Sequence, residues 1–164
     1  MADRLSDPSA ILTAIGVISG TSMDAIDVSL VTSDGRDRLA FGAGASYPYR
    51  DQTRRALQAV IADAERAASE PLAELEAAVT ADHLAAIRSY ADDQGLDFGA
   101  VDLVGLHGQT IYHRPERRFT RQLMNGQAVA DALGIPTVDR FCDADVAAGR
   151  EGAPFAPLHH RALA

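Results

Sequence analysis

Two apolar segments joined by a turn of small residues place the strongest constraint on the fold of this chain. They lie within residues 15–30, IGVISGTSMDAIDVSL, where each segment has the composition of a strand. Gly20 lets the backbone approach a ligand closely and tolerates a positive φ, while Thr21 and Ser22 add hydroxyl donors. A strand, a small-residue turn and a second strand bring bare N–H groups up to a phosphate, so the segment predicts a phosphate-binding hairpin. A tight hairpin without a ligand is the alternative interpretation.

The first half of the chain reads as strands followed by helices. Residues 1–10 are polar and are expected to form a loose leader, and the lobe itself is expected to span 11–164. Asp51 is expected to cap a first helix, Pro71 to lie in the first turn of a second helix, and Gly95 to end that helix. Apolar alternation predicts a meander of three strands, at residues 11–18, 26–31 and 39–47.

Strands and helices alternate in the second half. A short helix is predicted at 127–133, ended by Gly134, and the Gly/Ala/Pro-rich stretch 143–157 is expected to be a loop that leads into another helix. His83 is predicted to be a histidine at the edge of the core and not a ligand. Short strands are predicted at residues 101–106, 119–123 and 136–141. A meander followed by this alternation indicates an α/β fold with a mixed sheet, flanking helices and ligand loops at the strand ends.

Length, charge and cysteine content exclude several classes of function. The 164 residues suit one domain, and the net charge of −8 argues against nucleic acid or an anionic membrane as a partner. The single cysteine, Cys142, excludes an internal disulfide and favours a cytoplasmic location. No apolar run approaches the length needed to span a membrane.

A second motif, LHGQTIYH at residues 106–113, follows a predicted buried strand. It places the ring of His107, the amide of Gln109 and the hydroxyl of Thr110 at the edge of the sheet, and Gly108 leaves room for a ligand. Such a cluster suits a polar molecule rich in hydroxyl groups. The alternative is a strand-end turn in which His107 caps neighbouring backbone.

A third motif, ADVAAGREGAPFAP at residues 144–157, contains an aspartate within small residues. Asp145 is expected to follow a strand and to precede a shaped loop with Gly149 and Gly152, which would hold its carboxylate at the edge of a cleft. A carboxylate there suits the base that accepts a proton from an attacking hydroxyl or water. The alternative is an aspartate that caps a helix or turn.

Three segments in this order resemble signature segments in the N-terminal half of anhydro-N-acetylmuramic acid kinases: SGTSMDAID, GLHGQTIYHRPE and DADVAAGREGAPFAPLHH. The stretch FTRQLMNGQAVADALGIPTV is similar to the segment that joins the last two. The resemblance implies the two-lobed fold of actin, hexokinase and the heat-shock chaperone ATPases, in which each lobe is an RNase H-like sheet with helices. It also implies that ATP, Mg²⁺ and water convert 1,6-anhydro-N-acetylmuramic acid to N-acetylmuramic acid 6-phosphate during cell-wall recycling.

The resemblance also implies roles for individual residues. Asp145 is expected to activate the water, and Asp24 and Asp27 are expected to serve Mg²⁺ through water molecules. The phosphate hairpin is expected to comprise Gly20, Thr21, Ser22, Met23, Asp24 and Asp27. The sugar site is expected to comprise His107, Gly108, Gln109, Thr110, Gly149 and Gly152.

The chain departs from the family pattern at several positions. Arg150 stands where the family loop has glycine, which puts a long cation where backbone freedom is expected. Ile18 stands where related ATPases carry a metal-organising aspartate, and Asn125 stands where an acidic residue is common. Arg140 and Cys142 replace residues of the preceding strand, and neither is assigned a role.

The expected assignment is the N-terminal lobe, or a truncated form, of a phosphotransferase that acts on an alcohol group. The second lobe of this fold holds most of the adenosine, so the isolated chain is expected to be a poor kinase. A homodimer or association with a second lobe is the expected assembly. Two alternatives are a non-catalytic sugar- or nucleotide-binding module (or a relic), and a different small-molecule kinase of the same superfamily.

Overall fold

Strands and helices alternate along residues 2–152, the part of the chain that this computed structural model describes. The strands are β1 (Leu12–Ser19), β2 (Ile26–Ser33), β3 (Leu39–Tyr47), β4 (Leu103–Leu106), β5 (Gln109–Arg114), β6 (Phe119–Leu123) and β7 (Thr137–Val138). The helices are α1 (Ala2–Ser6), α2 (Asp51–Ile61), α3 (Ala64–Ser69), α4 (Ala73–Gln94), α5 (Gly126–Leu133) and α6 (Phe141–Ala147).

The central sheet is mixed and has five strands in the order β3-β2-β1-β4-β7. The meander β1-β2-β3 is antiparallel throughout, with Leu12 opposite Ser33. Strands β4 and β7 then add in parallel, and Val17 of β1 lies opposite Leu106 of β4. Strands β5 and β6 form a separate two-stranded sheet. The meander, the later strand–helix alternation and the mixed sheet with flanking helices are therefore confirmed.

One face of the central sheet carries the core. Alternate residues of β1 point into it, so that Ile15 and Val17 are at most 3% exposed, whereas Ile18 on the other face is 49% exposed. The long helix α4 packs against β2 and β3. The hydroxyl of its buried Tyr90 donates a hydrogen bond to a carbonyl of β3 at 2.5 Å. Period-two burial in the strands and one long covering helix thus build the layer that supports the strand ends.

Two predicted helix starts are wrong, whereas the predicted stop is confirmed. Asp51 is the first residue of α2 and not its cap, and the residue before it, Arg50, contributes no capping bond from its side chain. Arg50 instead forms an ion pair with the buried carboxylate of Asp82 on α4. Pro71 lies before α4, which begins at Ala73. Gly95 ends α4 in the left-handed conformation, with φ of 60°, as expected for a helix C-cap.

The predicted strand at 136–141 and the loop predicted after it are both corrected by the structure. Strand β7 has only two residues, because Arg140 adopts a left-handed φ of 57° and turns the chain into α6. Asp143 lies in the first turn of α6, where a carboxylate is favourable to the helix dipole. Asp145 therefore lies within a helix and does not directly follow a strand.

The first residues are not the loose leader that their composition predicts. Ala2–Ser6 forms a short helix, and Arg4 Nη1 lies 2.9 Å from Oδ1 of the buried Asp102. The other oxygen of Asp102 accepts the N–H of Thr13 at 2.8 Å, so this carboxylate links α1 to the start of the sheet. Among residues 2–152, no helix combines the length and apolar character needed to cross a bilayer. The helix predicted near the chain end, and Pro154 of the third motif, lie outside the described residues.

Candidate active site

The carboxyl ends of the parallel strands β1, β4 and β7 lie side by side at one edge of the sheet. The N–H of His107, just after β4, donates to the carbonyl of Val17 at 3.0 Å. Ser19 Oγ, at the end of β1, donates to the carbonyl of Gly108 at 3.4 Å. Helix α6 follows β7 and brings Cys142 Sγ to 3.6 Å from His107 Nε2. The first two motifs and the start of α6, two residues before the third motif, therefore meet at one edge, the place where ligands bind in open α/β sheets.

The turn between β1 and β2 is closed by the N–H of Met23, which donates to the carbonyl of Gly20 at 3.1 Å. Thr21 and Ser22 are exposed at its tip. The positive φ expected at Gly20 lies instead at Met23, with a φ of 56°, and a Cβ at Gly20 would meet Ser22 Oγ at an ordinary 3.5 Å. The Met23 side chain is only 8% exposed, so its packing in the core holds this residue in the left-handed conformation.

The two aspartates of the hairpin are both exposed. Asp27 accepts a hydrogen bond from Ser46 Oγ at 2.5 Å, whereas the Asp24 carboxylate has no partner within the described part of the chain. No group of three or more His, Cys, Asp or Glu side chains within residues 2–152 is arranged to hold a metal ion. The hairpin thus supplies at most two carboxylates, which suits a cation that keeps most of its water.

Gln109 lies inside the molecule and ties the hairpin turn to β5. Its side chain is completely buried, and its Nε2 donates to the carbonyls of Gly20 at 3.3 Å and Thr110 at 3.1 Å. Its Oε1 accepts the hydroxyl of Tyr49 at 3.2 Å. Every polar atom of this amide therefore has a protein partner. Of the six predicted sugar residues, His107 lines two of the cavities in the described part of the chain.

His83 lies beneath the same strand ends. The prediction that it lies at the edge of the core is wrong, because its side chain is completely buried. Its Nδ1 is 2.9 Å from the carbonyl of Val79, and its Nε2 is 3.4 Å from Ser19 Oγ. Burial lowers the pKa of this histidine to about 4, although the Val79 carbonyl and the nearby Asp82 act in the opposite direction. The ring is therefore neutral at physiological pH and supports β1 through Ser19.

Asp145 projects from α6 and both of its carboxylate oxygens have partners. Oδ2 accepts the N–H of Gly152 at 2.9 Å, and Oδ1 accepts Nε of Arg150 at 2.5 Å. The Gly152 N–H first, and the Arg150 guanidinium next, hold the pKa of this carboxyl below its usual value. Because this pKa is lowered, the carboxylate is ionised at neutral pH. The side chain is only 17% exposed, and Arg150 covers part of it.

The two predicted loop glycines shape the segment around Asp145. Gly149 has a φ of 82° and its N–H donates to the carbonyl of Val146, while the N–H of Arg150 donates to the carbonyl of Asp145. These two bonds form the Schellman motif that ends α6. Gly152 has a φ of 67°, and a Cβ there would lie 2.5 Å from Val146 Cγ2. Both glycines are therefore required by the backbone that aims Gly152 at Asp145.

A polar cleft of about 820 Å³ opens beside His107 and the start of α6, and Asp145, Gly149 and Gly152 are not among its lining residues. Its walls come from the start of α4, from β6, from the segment before α5 and from the link between β7 and α6. The charged and polar side chains that line this polar cleft include Glu70, Glu76, His107, Arg121, Gln122, Asn125, Asp139, Arg140 and Asp143. A cleft of this volume accommodates a molecule the size of an amino sugar.

Sequence reasoning missed most of the polar cleft. Arg121 and Gln122 lie on β6, which the sequence identified as a strand without a function, and Asp143 lies in a segment predicted to be a loop. Asn125, noted only as a departure, caps α5 by accepting the N–H of Ala128 at 3.0 Å. The polar run Thr-Arg-Gln within a short strand was the available signal, because a core strand rarely carries three polar residues in a row.

Gly108→Ala is expected to lower the free energy of unfolding by about 2 kcal/mol, because two penalties add. Gly108 has a φ of 74°, and a Cβ there would lie 2.9 Å from Met124 Cβ and 3.1 Å from the carbonyl of Leu123. The measurement is chemical denaturation followed by circular dichroism. Gly134→Ala is the matched control, since Gly134 has a φ of 69° with nothing within 4 Å, and we expect a loss of about 1 kcal/mol. Equal losses in the two variants would show that the close packing behind Gly108 is unimportant.

The fold and the site define an α/β lobe whose ligand edge is built from the carboxyl ends of parallel strands. The family model "Anhydro-N-acetylmuramic acid kinase" matches residues 12–164. The chain is 45% identical over 158 residues to an anhydro-N-acetylmuramic acid kinase of Rhodopseudomonas palustris (strain HaA2), covering 93% of this chain and 43% of the relative. It is 40% identical over 153 residues to one of Paramagnetospirillum magneticum, covering 93% of this chain and 42% of the relative. This chain belongs to the anhydro-N-acetylmuramic acid kinase family.

The chain spans less than half the length of the curated relatives that it matches. Among solved structures, YeaZ from Pseudomonas aeruginosa is similar at 18% sequence identity with a TM-score of 0.32, covering 87% of this chain and 50% of that chain. The resemblance inferred from the three motifs is confirmed at the level of the family.

Proposed function

We propose that this chain is the N-terminal lobe, residues 11–164, of a cytoplasmic kinase of cell-wall recycling. The kinase uses ATP and water to convert 1,6-anhydro-N-acetylmuramic acid to N-acetylmuramic acid 6-phosphate. The observation that carries the proposal is the meeting of the hairpin turn, His107 and α6 at one edge of the sheet in a chain of this family. Phosphoryl transfer requires a phosphate site, an acceptor site and a base in close proximity, and these three segments supply candidates for each.

The hairpin turn suits the phosphates of ATP. Its tip, Thr21 and Ser22, is exposed, and the turn is held from behind by Gln109 and by the buried side chain of Met23. Asp24 is exposed and unpaired among the described residues, so it suits Mg²⁺, which proteins hold through one or two carboxylates together with water and substrate phosphates. When bound, the cation neutralises charge on the phosphates.

Asp145 suits the base. Its carboxylate would take the proton of the water that attacks the anomeric carbon, and the oxygen released at carbon 6 would receive the γ-phosphoryl group of ATP. The Gly152 N–H keeps the carboxylate ionised and oriented. Arg150 occupies one of the two lone-pair directions of Asp145 Oδ1, so water would bind this carboxylate along a direction that Arg150 and the Gly152 N–H leave open.

A sugar-binding module without turnover is the second candidate. The observation that favours it is the ion pair between Arg150 and Asp145, which occupies the proposed base. In that case the polar cleft would bind the sugar, and Asp145 would have only a structural role in the loop.

We expect acceptor-dependent release of ADP from a two-lobed chain and little from residues 1–164 alone, because half of the cleft supplies little of the positioning. The two-lobed chain consists of these residues joined to the remaining length of the Rhodopseudomonas palustris (strain HaA2) relative. Turnover is measured with 1,6-anhydro-N-acetylmuramic acid, with glucose and acetate as control acceptors. Sugar binding without ADP release by the joined chain would favour the binding module, and preference for glucose or acetate would indicate a different kinase.

A further inference from the structure

The Gly152 amide that holds the proposed base lies in a narrow slot between α6 and β5. Its N–H donates to Oδ2 of Asp145 at 2.9 Å. A Cβ at this position would lie 2.5 Å from Val146 Cγ2, 3.3 Å from the carbonyl oxygen of Cys142 and 3.4 Å from Cε1 of His113. Val146 and Cys142 belong to α6, whereas His113 belongs to β5. The half-buried ring of His113 is therefore the wall that β5 contributes to this slot.

Polar groups of β5 and β6 fix the orientation of the His113 ring. The hydroxyl of Thr120 donates to the carbonyl of Tyr112 at 3.3 Å. Its oxygen therefore accepts from Nδ1 of His113 at 3.0 Å and from Nε2 of Gln122 at 2.9 Å, which places a hydrogen on Nδ1 of the ring. The same Nε2 of Gln122 also donates to Thr110 Oγ1 at 3.2 Å. Because these partners lie on both strands of the two-stranded sheet, the ring is held in one orientation.

Gly152 depends on its neighbours for its conformation. It has a φ of 67° and no side chain with which to anchor the loop, and glycine has more backbone freedom than any other residue. The slot limits this freedom, because atoms of α6 and the ring of His113 both lie against the space beside its Cα. A glycine held in this way keeps its N–H directed at the carboxylate of Asp145.

We infer that His113 is a positioning residue for the base and acts through Gly152. Its ring holds Gly152 in the slot, and the Gly152 N–H in turn orients the carboxylate of Asp145. The inference rests on the proposed function and adds to it the residue that keeps the proposed base in place. Removal of the ring lets Gly152 leave the slot, and Asp145 then loses the donor that orients it. Catalysis by a base depends on such positioning, because a small displacement of the reacting group lowers the rate steeply.

The first measurement needs no substrate. Hydrogen exchange of the Gly152 amide with water is followed by NMR in the ¹⁵N-labelled 164-residue chain and in two variants. We expect exchange to be about tenfold faster in His113→Ala, because an amide exchanges when its hydrogen bond opens. His113→Phe keeps a planar ring at the same place and is expected to stay within about threefold of the parent chain. The buried Val104 amide, which donates to Pro136 at 2.9 Å, reports in each variant that the sheet is folded.

The second measurement is turnover by the two-lobed chain. His113→Ala is expected to lower kcat about tenfold and to keep the KM for 1,6-anhydro-N-acetylmuramic acid within about twofold, because the base is misplaced while the acceptor site is retained. His113→Phe is expected to keep kcat within about threefold of the parent chain. Arg114→Ala, the same truncation at the next and exposed residue of β5, is the matched control and is expected to change neither exchange nor kcat.

The outcomes separate this inference from the proposed function. Unchanged exchange of the Gly152 amide in His113→Ala would overturn the inference and leave the proposed function in place. Equal losses of kcat in His113→Ala and His113→Phe would also overturn it, because the ring would then not be the group that matters. A parent two-lobed chain without turnover would contradict the proposed function and, with it, the inference.

Discussion

Asp145→Asn is expected to lower kcat of the two-lobed chain by about 10²–10⁴-fold while leaving the affinity for the acceptor within about twofold. The amide has the same shape and still accepts the Gly152 N–H through its oxygen, so the loop is retained. It cannot take a proton from water. The measurement is ADP release together with the KM for 1,6-anhydro-N-acetylmuramic acid. A higher KM with an unchanged kcat would indicate that Asp145 positions the sugar and is not the base.

The same assay tests the role of Arg150. Removing its guanidinium frees Oδ1 of Asp145 and takes away one of the groups that lower the pKa of this carboxyl. A stronger base results, so Arg150→Gly is expected to raise kcat of the two-lobed chain. Asp92→Asn, an exposed residue of α4 distant from the loop in sequence, is the matched control and is expected to leave kcat unchanged. Equal activity of Arg150→Gly and the parent chain would show that the ion pair does not restrain Asp145.

The free energy of unfolding is expected to fall by about 3 kcal/mol between pH 7 and pH 4 through the titration of His83 alone. The pKa of His83 is about 4 in the folded chain and is 6.5 for an unperturbed histidine. The unfolded chain therefore binds this proton first as the pH falls, so the stability is present above pH 6.5 and is lost progressively down to pH 4. The cause is burial of the ring beneath β1, where a charged imidazolium has no water.

The measurement is denaturant unfolding at several pH values for the parent chain and for His83→Gln. The variant has no imidazole to titrate, so the fall in stability between pH 6.5 and pH 4 is expected to be about 3 kcal/mol smaller. An unchanged pH dependence in His83→Gln would contradict the assignment.

Patterns set by neighbouring residues predicted much of the fold. The third strand was predicted at 39–47 and is Leu39–Tyr47, although none of its residues is buried. Gly95 and Gly134 end α4 and α5 with φ of 60° and 69°, as local turn chemistry requires. The family, too, was recognisable from three short motifs, since their residue types and order are a property of the sequence alone.

Features that depend on distant partners were not predicted. Arg140 turns the chain into α6 where a strand was expected, and its side chain is paired with Asp143 in that helix. Asp51 looks like a helix cap, yet Arg50 takes the position before the helix and pairs with Asp82, which is 32 residues away in the chain. Local propensity identifies that a helix is present more reliably than it identifies where the helix starts.

The sequence by itself determined the strand order of the meander, the family and the three segments expected to form the site. Only the tertiary structure decided which side chains of those segments face a ligand. Gln109 is held in the core by the hydroxyl of Tyr49, 60 residues earlier in the chain, which donates to its Oε1. Arg121 lines the polar cleft because carbonyls 54 and 51 residues earlier hold its guanidinium. Contacts at such separations are fixed by packing of the whole lobe and leave no periodic signal in the chain.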